Sequence, residues 1–408
     1  MTRRSWYAAI AFITSTTFIQ AACSGDAEHA QWSATDSAGV TIVESRAPAW
    51  DSAGAWRVDS EPALDLTEAG EGADYQFTRV VGVARFGDGR IVVGDAGSND
   101  VRVYGADGTF LTRVGAAGDG PGEFRRLGQV WAIDPDTILA FDGIGRLTRF
   151  SAAGELLGVV ELGRPGPSPW SSLSRFADGT FVATVGWSSA QLKNPSNGLL
   201  RVDAPVLLVD PGAPAVDTLV TLPGSDIFFS QSEGGAVMGS PPLARWRSAL
   251  AVGASIVTGA GDGLAYEVRD RTGALERIVR VPGYDLSGAG ALIDSIIEAQ
   301  TAMAPQSRAR EMISRLLHGL PVPAERPGYS VLLADPDGNV WAAQHRGPIF
   351  LFPANRWEVF SAEGRWLGTV RAPERFRVLR IERDALLGYF MDDLDVQHVR
   401  LYRILKDG

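Results

Sequence analysis

The sequence predicts an all-β protein, a six-bladed β-propeller whose blades are four-stranded antiparallel sheets. Short β-branched strands alternate with tight turns such as Gly87–Gly89 and Ala106–Gly108. Asp-Gly turns of this kind are typical of antiparallel hairpins, because glycine readily accepts the positive φ that they require. The strand-and-turn unit recurs six times along the chain, and a period of about 45 residues with four strands per unit is typical of radial β-sheet repeats.

The repeat is clearest in the second and third strands of each unit. The second strand reads IVVGD up to Asp95 and ILAFD up to Asp142, and later copies read FVATVG, SIVTGAGD, VWAAQH and LLGYFMD. The third strand and its turn read VRVYGADG up to Gly108 and LTRFSAAG up to Gly154, 46 residues later. One such sheet cannot hide both of its apolar faces. A closed ring of neighbouring sheets therefore explains the repeat and leaves only short edges.

Two segments depart from the repeat. The last unit, Phe376 to Leu405, shows only three strands, and Val40–Val43 is a β-branched strand without a nearby partner. We therefore expect Val40–Val43 to complete the last blade. Residues 285–327 predict a helical hairpin, since apolar residues recur at helical spacing from Leu292 to Met303 and again from Ala309 to Leu317. We interpret this insertion as a buttress on the blade edges, with a lid over the channel as the alternative.

The N-terminal segment has the features of an export signal. A short basic stretch, Thr2–Arg4, precedes the apolar run Trp6–Ile19, and small residues stand just before the single cysteine, Cys23. The ending Ile-Gln-Ala-Ala-Cys resembles a bacterial lipoprotein signal, in which Cys23 would carry the lipid, although Gln20 replaces the usual leucine. The alternative is an ordinary secretory signal that leaves Cys23 as a free thiol. The predicted organisation is a signal peptide over 1–22, a polar tether over 23–38 and the propeller over 39–408.

The composition and net charge of the chain limit which classes of partner are expected. Of the 408 residues 45% are hydrophobic, which is enough for a large core, and 38 basic against 48 acidic side chains give a net charge of −10. A phosphate-backbone binder needs a basic face, so we do not expect nucleic acid as a partner. The two lysines, Lys193 and Lys406, exclude a lysine-rich membrane patch. We expect a monomer that contacts the membrane through a lipid on Cys23.

Three segments resemble the repeats of a known family. Gly118–Phe124, GDGPGEF, resembles the G-x-G-P-G-E-F motif of NHL-type propeller repeats, and Asp95–Val103 resembles their D-x-G-N-x-R-I segment. Ala334–Trp341 resembles the D-x-x-G-N-x-W segment that opens a strand in the same family. The likeness covers most of the chain and is poor over Trp170–Pro223. It implies an exported six-bladed propeller lipoprotein, and it implies no reaction, because propellers host lyases, lactonases and pure binding modules.

Ligands of propellers usually bind over the central channel, where second-to-third-strand turns and blade-to-blade corners converge. Carboxylate oxygens that converge on the axis are suitable ligands for Ca²⁺, which takes six to eight oxygens. Asp95, Asp142 and Asp262 are the candidate ligands, and His345 is the candidate proton acceptor. Asp and Asn are also ordinary residues of tight turns, which is the alternative for every position. The residues expected at this face are Asp95, Asn99, Glu123, Arg126, Asp142, Asp262, His345, Arg346, Asp392 and Asp393.

Two functions from different classes fit these observations. The first is a non-catalytic binding or scaffold lipoprotein of the bacterial cell envelope, on its periplasmic or outer-membrane face, for a peptide, a glycan or an envelope protein. The second is a calcium-dependent hydrolase or lyase with its site over the channel. The sequence has no G-x-S-x-G motif and no histidine pair with zinc-ligand spacing. We therefore favour the first function, without a cofactor.

Overall fold

A computed structural model describes residues 31–51, 54–163, 165–166, 168–186, 195–213, 216–232, 235–303, 310–311, 317, 319–348 and 353–406. Within these residues the chain forms thirty β-strands, one α-helix and a short 3-10 helix, Ala73–Tyr75. None of the described helices is long and apolar enough to cross a membrane. Four strands precede the first blade: β1 (Trp32–Ser37), β2 (Val40–Ser45), β3 (Arg57–Val58) and β4 (Leu64–Asp65).

The first three blades follow the predicted repeat. Each is an antiparallel sheet that the chain builds outwards from its inner strand. Blade 1 contains β5 (Val80–Arg85), β6 (Ile91–Asp95), β7 (Asp100–Tyr104) and β8 (Phe110–Val114). Blade 2 contains β9 (Gln129–Ile133), β10 (Thr137–Phe141), β11 (Arg146–Ser151) and β12 (Leu156–Glu161). Blade 3 contains β13 (Trp170–Arg175), β14 (Phe181–Val185), β16 (Ala204–Val209) and β17 (Val216–Leu222), and its connections hold the small sheet of β15 (Gly198–Arg201), β18 (Asp226–Ser232) and β19 (Gly235–Gly239).

Three more blades complete the ring, and the described structure is a six-bladed β-propeller with one helical insertion. Blade 4 contains β20 (Ser248–Val252), β21 (Ser255–Gly259), β22 (Ala265–Arg269) and β23 (Leu275–Arg280). Blade 5 follows the helix α1 (Ala289–Met303) and contains β24 (Val331–Ala334), β25 (Val340–Ala343), β26 (Arg356–Phe360) and β27 (Trp366–Arg371). Blade 6 contains β28 (Phe376–Ile381), β29 (Ala385–Met391) and β30 (Gln397–Leu405).

The core lies between the blades. Every residue of β6 and β7 is buried, because neighbouring blades cover both faces of the sheet. One hydrophobic cluster joins Val92 of blade 1 to Ile138 of blade 2, and further clusters join other neighbouring blades in the same way. The predicted turns hold the strands in register, since Gly89 and Gly108 adopt φ of 94° and 87°.

The ring closes with N-terminal strands, but not with the predicted ones. β3 and β4 pair antiparallel with β30 and supply the fourth strand of blade 6. The prediction that Val40–Val43 completes this blade is wrong, because β2 instead pairs in parallel with β23 at the outer edge of blade 4. There Val43 is buried beside Val279 and Trp366, and Glu44 lies 2.6 Å from the Arg280 guanidinium. β1 adds a further strand, so part of the predicted tether, 32–37, is a hairpin arm.

The helical insertion is confirmed in its first half. α1 spans Ala289–Met303, and Ile293, Ile296 and Ile297 pack on Leu243 in the connection that leads into blade 4. Most of the second predicted helix lies outside the described residues, as do the predicted signal peptide and Cys23.

Trp56 gives a test of ring closure, because it lies just before β3 and packs against Trp341 of blade 5. We call the junction at which β3 and β4 pair with β30 the seam. The Trp56 ring lies 4.9 Å from that of Trp50 and 5.9 Å from that of Trp341, and the Lys406 ammonium lies 4.0 Å above it. We expect Trp56→Ala to lower the free energy of unfolding by about 2–3 kcal/mol, since truncation leaves a cavity at the seam. Urea unfolding measures this loss.

Trp32→Ala is the matched control, because Trp32 is 41% exposed on β1, far from the seam in the pairing order. We expect it to change the free energy of unfolding by less than about 1 kcal/mol. Equal losses for the two variants would contradict the role of the seam.

Candidate functional site

The topology defines two ends of the ring. The chain enters each blade on its inner strand, so second-to-third-strand turns and blade-to-blade connections share one end, called the upper end below. A central channel of about 1060 Å³ runs between the inner strands. All six inner strands line it, with Val81, Gln129, Ser172, Leu250, Leu333 and Leu379 among the lining residues.

Two predicted site residues, Asp95 and Asp142, are turn residues with buried side chains. The Asp95 carboxylate accepts hydrogen bonds from the backbone N–H groups of Thr78, Arg79 and Gly97, at 2.8–3.0 Å. The Asp142 carboxylate accepts N–H groups of its own turn and the Arg146 Nε at 2.7 Å. Each carboxylate thus satisfies backbone donors that would otherwise be buried without partners.

The corner between blades 1 and 2 uses two more of the predicted residues. Asn99 adopts a φ of 53°, and its Oδ1 accepts the Leu127 N–H at 3.0 Å. The Glu123 carboxylate folds back onto the Gly120 N–H at 2.8 Å. Both side chains therefore shape the corner that leads from blade 1 into blade 2.

Asp262 belongs to an ion-pair network at the upper end of blades 3 and 4. Its carboxylate lies 2.5 Å from the Arg201 guanidinium and 2.7 Å from that of Arg245. Arg245 also makes two hydrogen bonds of 2.9 Å to the two oxygens of buried Asp226. The network ties the small sheet to the turn of blade 4, and such bidentate pairs fix geometry.

Three more of the predicted residues, Arg346, Asp392 and Asp393, lie in second-to-third-strand turns at the same end. Arg346 pairs with exposed Glu374 at 3.0 Å. Asp392 accepts backbone N–H groups of its turn and lies 3.2 Å from the His398 ring, and Asp393 pairs with Arg375. The structure therefore places the predicted residues at one end of the ring without joining them into one site.

The predicted metal ligands do not meet. Asp95, Asp142 and Asp262 belong to three different turns, and the described part of the chain contains no group of three or more His, Cys, Asp or Glu residues that could hold a metal ion. Calcium dependence stays a prediction without a described ligand set.

His345 is a buried, neutral histidine rather than an exposed base. Its Nε2 donates to the Ala244 carbonyl at 3.0 Å, and its Nδ1 accepts the Gly347 N–H at 3.1 Å. Burial lowers the pKa of His345 to about 4. Because its acceptor nitrogen is already occupied, the side chain is poorly suited to take a proton from a substrate. It instead ties blade 5 to the connection that leads into blade 4.

Three arginines form the most distinctive group at the upper end. The sequence-based prediction included Arg126 but not Arg79 or Arg247. Arg79, Arg126 and Arg247 each stand just before an inner strand. A smaller cavity of about 430 Å³ at Arg79 and Arg126 shares Gln129 and Ser171 with the channel, whose wall includes Arg247. We call this region the upper mouth, defined by Arg79, Arg126, Ser171, Trp246 and Arg247. Aligning the residues that precede the inner strands, rather than the turns, would have revealed it.

The upper end also exposes apolar side chains. Of the twelve large hydrophobic residues that are exposed in the described chain, seven lie in the connections of the upper end. Trp246, 43% exposed, is the largest of them. The seven are Ile144, Leu199, Met238, Trp246, Val322, Leu394 and Val396.

Comparison with known proteins agrees with the fold. A family model described as a 6-bladed beta-propeller, DUF5128, matches residues 74–162, which contain blades 1 and 2. No curated protein matches the chain.

Among solved structures, a protein of Bacteroides fragilis to which export is ascribed is 12% identical, with a TM-score of 0.47 over 90% of this chain and 100% of that one. A DUF4221 family member from Bacteroides vulgatus is 10% identical, with a TM-score of 0.48 over 87% and 99%. A gluconolactonase of Xanthomonas campestris is 14% identical, with a TM-score of 0.41 over 81% and 87%.

The buried His345 predicts a pH dependence of stability. Its folded pKa of about 4 lies below the value of about 6.5 in an unfolded chain. Between these values the unfolded chain binds more protons, so the stability that is present above pH 6.5 is lost as the pH falls towards 4. We expect His345→Gln to reduce, by about 1 kcal/mol, the loss of unfolding free energy between about pH 7.5 and 5.5, as measured by urea unfolding. The same pH dependence in both proteins would contradict this assignment.

Proposed function

We propose that this propeller is an exported, lipid-anchored binding module, which holds a peptide, a glycan or an envelope protein at its upper mouth. The observation that carries the proposal is the mouth itself. An open channel of about 1060 Å³ ends beside three arginines and an exposed tryptophan. Concave sites with a few convergent polar groups and exposed aromatic area are the usual form of binding sites.

The contacts around the mouth support binding rather than chemistry. The predicted carboxylates hold their own turns or pair with arginines, and both ring nitrogens of His345 are engaged. These interactions stabilise the rim in one shape. A rigid rim favours affinity, because little side-chain freedom is lost when a ligand binds.

A thermal-shift screen of the body, Ser24 to Gly408, against envelope-derived glycans and peptides tests this proposal, with mass spectrometry of the recovered ligand. We expect a ligand that raises the melting temperature, is recovered unchanged and loses its effect with Trp246→Ala. Chemical conversion of the ligand, or a saturable rise in melting temperature with calcium, would instead favour the calcium-dependent hydrolase or lyase.

The anchor is tested separately. A lipid on Cys23 would hold the body at a membrane of the cell envelope, and we expect Cys23→Ser to release the protein into the soluble fraction and to abolish labelling by a radioactive fatty acid. Ala22→Gly, which keeps the cysteine and a small residue before it, is the control and should stay membrane-bound. Membrane binding of Cys23→Ser would show that the cysteine is not the anchor.

A further inference from the structure

Many of the partly or fully buried arginines in the described chain are neutralised by a carboxylate. Arg102 lies 3.1 Å from Asp100, and Arg400 lies 2.6 Å from Asp65. Further examples are Arg85, Arg146, Arg201, Arg245 and Arg356. Arg277 and Arg326 show a second pattern, since their guanidinium groups donate to backbone carbonyls. The arginines of the upper mouth share this pattern, and three of them lie around one opening.

Arg79, Arg126 and Arg247 bond only to backbone carbonyls within the described residues. Arg79 donates to the Ala96 carbonyl at 2.7 Å, and Arg126 donates to the Gly143 carbonyl at 3.0 Å. A guanidinium carries five N–H donors, so each of these two exposed side chains keeps most of its donors for solvent or a ligand. The carboxylates of the neighbouring turns, Asp95 and Asp142, are already engaged by backbone donors.

Arg247 is the most unusual of the three. Its Nη atoms donate to the carbonyls of Ala204 and Val185, while its Nε is buried without a partner. Burial lowers the pKa of Arg247 to about 10, and the described residues place no carboxylate against it. A charged group in such a place is stabilised by an anion nearby.

The surroundings favour a carbohydrate over a peptide. Serine hydroxyls line the channel at Ser171 and Ser248, and hydroxyl groups suit a ligand that is itself rich in hydroxyls. Those of Ser172, Ser174 and Ser330 already bond within the protein. The exposed ring of Trp246 directly precedes Arg247, and an indole face packs well against the C–H face of a sugar. Arginine forks match carboxylates with two parallel hydrogen bonds.

We propose that the upper mouth binds an acidic oligosaccharide, whose carboxylates pair with Arg79, Arg126 and Arg247 while a sugar ring stacks on Trp246. This inference rests on the proposed binding function and adds the ligand class. The attraction is local, because the protein as a whole carries a net charge of −10 and does not draw anions from a distance.

The test is calorimetric titration of the body with tetragalacturonate and with a neutral galactose tetramer. We expect saturable binding of the acidic tetramer that weakens with added salt, and far weaker binding of the neutral one. Arg79→Gln, Arg126→Gln and Trp246→Ala should each weaken binding about tenfold, as loss of one charged hydrogen bond or one aromatic contact predicts. These residues are exposed, so thermal melting should show intact folds.

Arg383→Gln is the matched control, since Arg383 is exposed on the first turn of blade 6, at the opposite end of the ring, where it pairs with Asp337. It should leave the affinity unchanged. If both tetramers bind equally well and Trp246→Ala abolishes this binding, the inference that the ligand is acidic is overturned, while the proposed binding function stands. If a glutamate tetramer binds more tightly than tetragalacturonate, the inference that the ligand is a carbohydrate is overturned in favour of an acidic peptide. If none of the tetramers binds, the acidic oligosaccharide is overturned, while the proposed function stands or falls with the screen of glycans and peptides and with capture of an envelope protein that Trp246→Ala abolishes.

Discussion

Ring closure is the constraint on which the rest of this structure depends. A blade has two apolar faces, and only its neighbours can cover them, so the first and last blades must meet as tightly as the others. The hydrophobic cluster at this junction joins Val83 and Val93 of blade 1 to Leu387 and Val399 of blade 6. A polar contact reinforces it, since the Gln397 side-chain oxygen accepts the Val80 N–H at 2.7 Å.

The channel exists because the ring closes, and its wall raises a second problem. The inner edge of each inner strand has backbone groups that no further strand can pair. Side chains of the next blade satisfy some of them: the Gln129 amide bonds to both the N–H and the carbonyl of Leu173, and the Ser174 hydroxyl accepts the Ala251 N–H. Such contacts lock adjacent inner strands and therefore fix the positions of residues just above them, including Arg126 and Arg247.

Local patterns in the sequence are enough to predict the blades and the turns, but they do not predict which distant strands pair with each other. Asp95 and Asp142 follow apolar strands and precede tight turns, and the turn alternative for them needed only that local context. Val40–Val43 also looked like a strand, but its partner was decided by the free edge of β23 and the pocket beside Val279. The position of Arg247 before an inner strand can be read from the sequence, but its environment cannot, because nothing local shows that a guanidinium will be buried without a carboxylate.

The hairpin of β1 and β2 pairs with the outer strand of blade 4 and comes before the closing strands β3 and β4 in the sequence. Tension on residues ahead of Gln31 meets the six register pairs of β1 with β2, and then the four of β2 with β23, before it reaches β3 and β4. In single-molecule pulling this hairpin would give an early, separate event, while the seam of the ring stays shut. A force applied ahead of Gln31 would therefore unpair β1 and β2 at the outer edge of blade 4 before it loads the strands that close the ring.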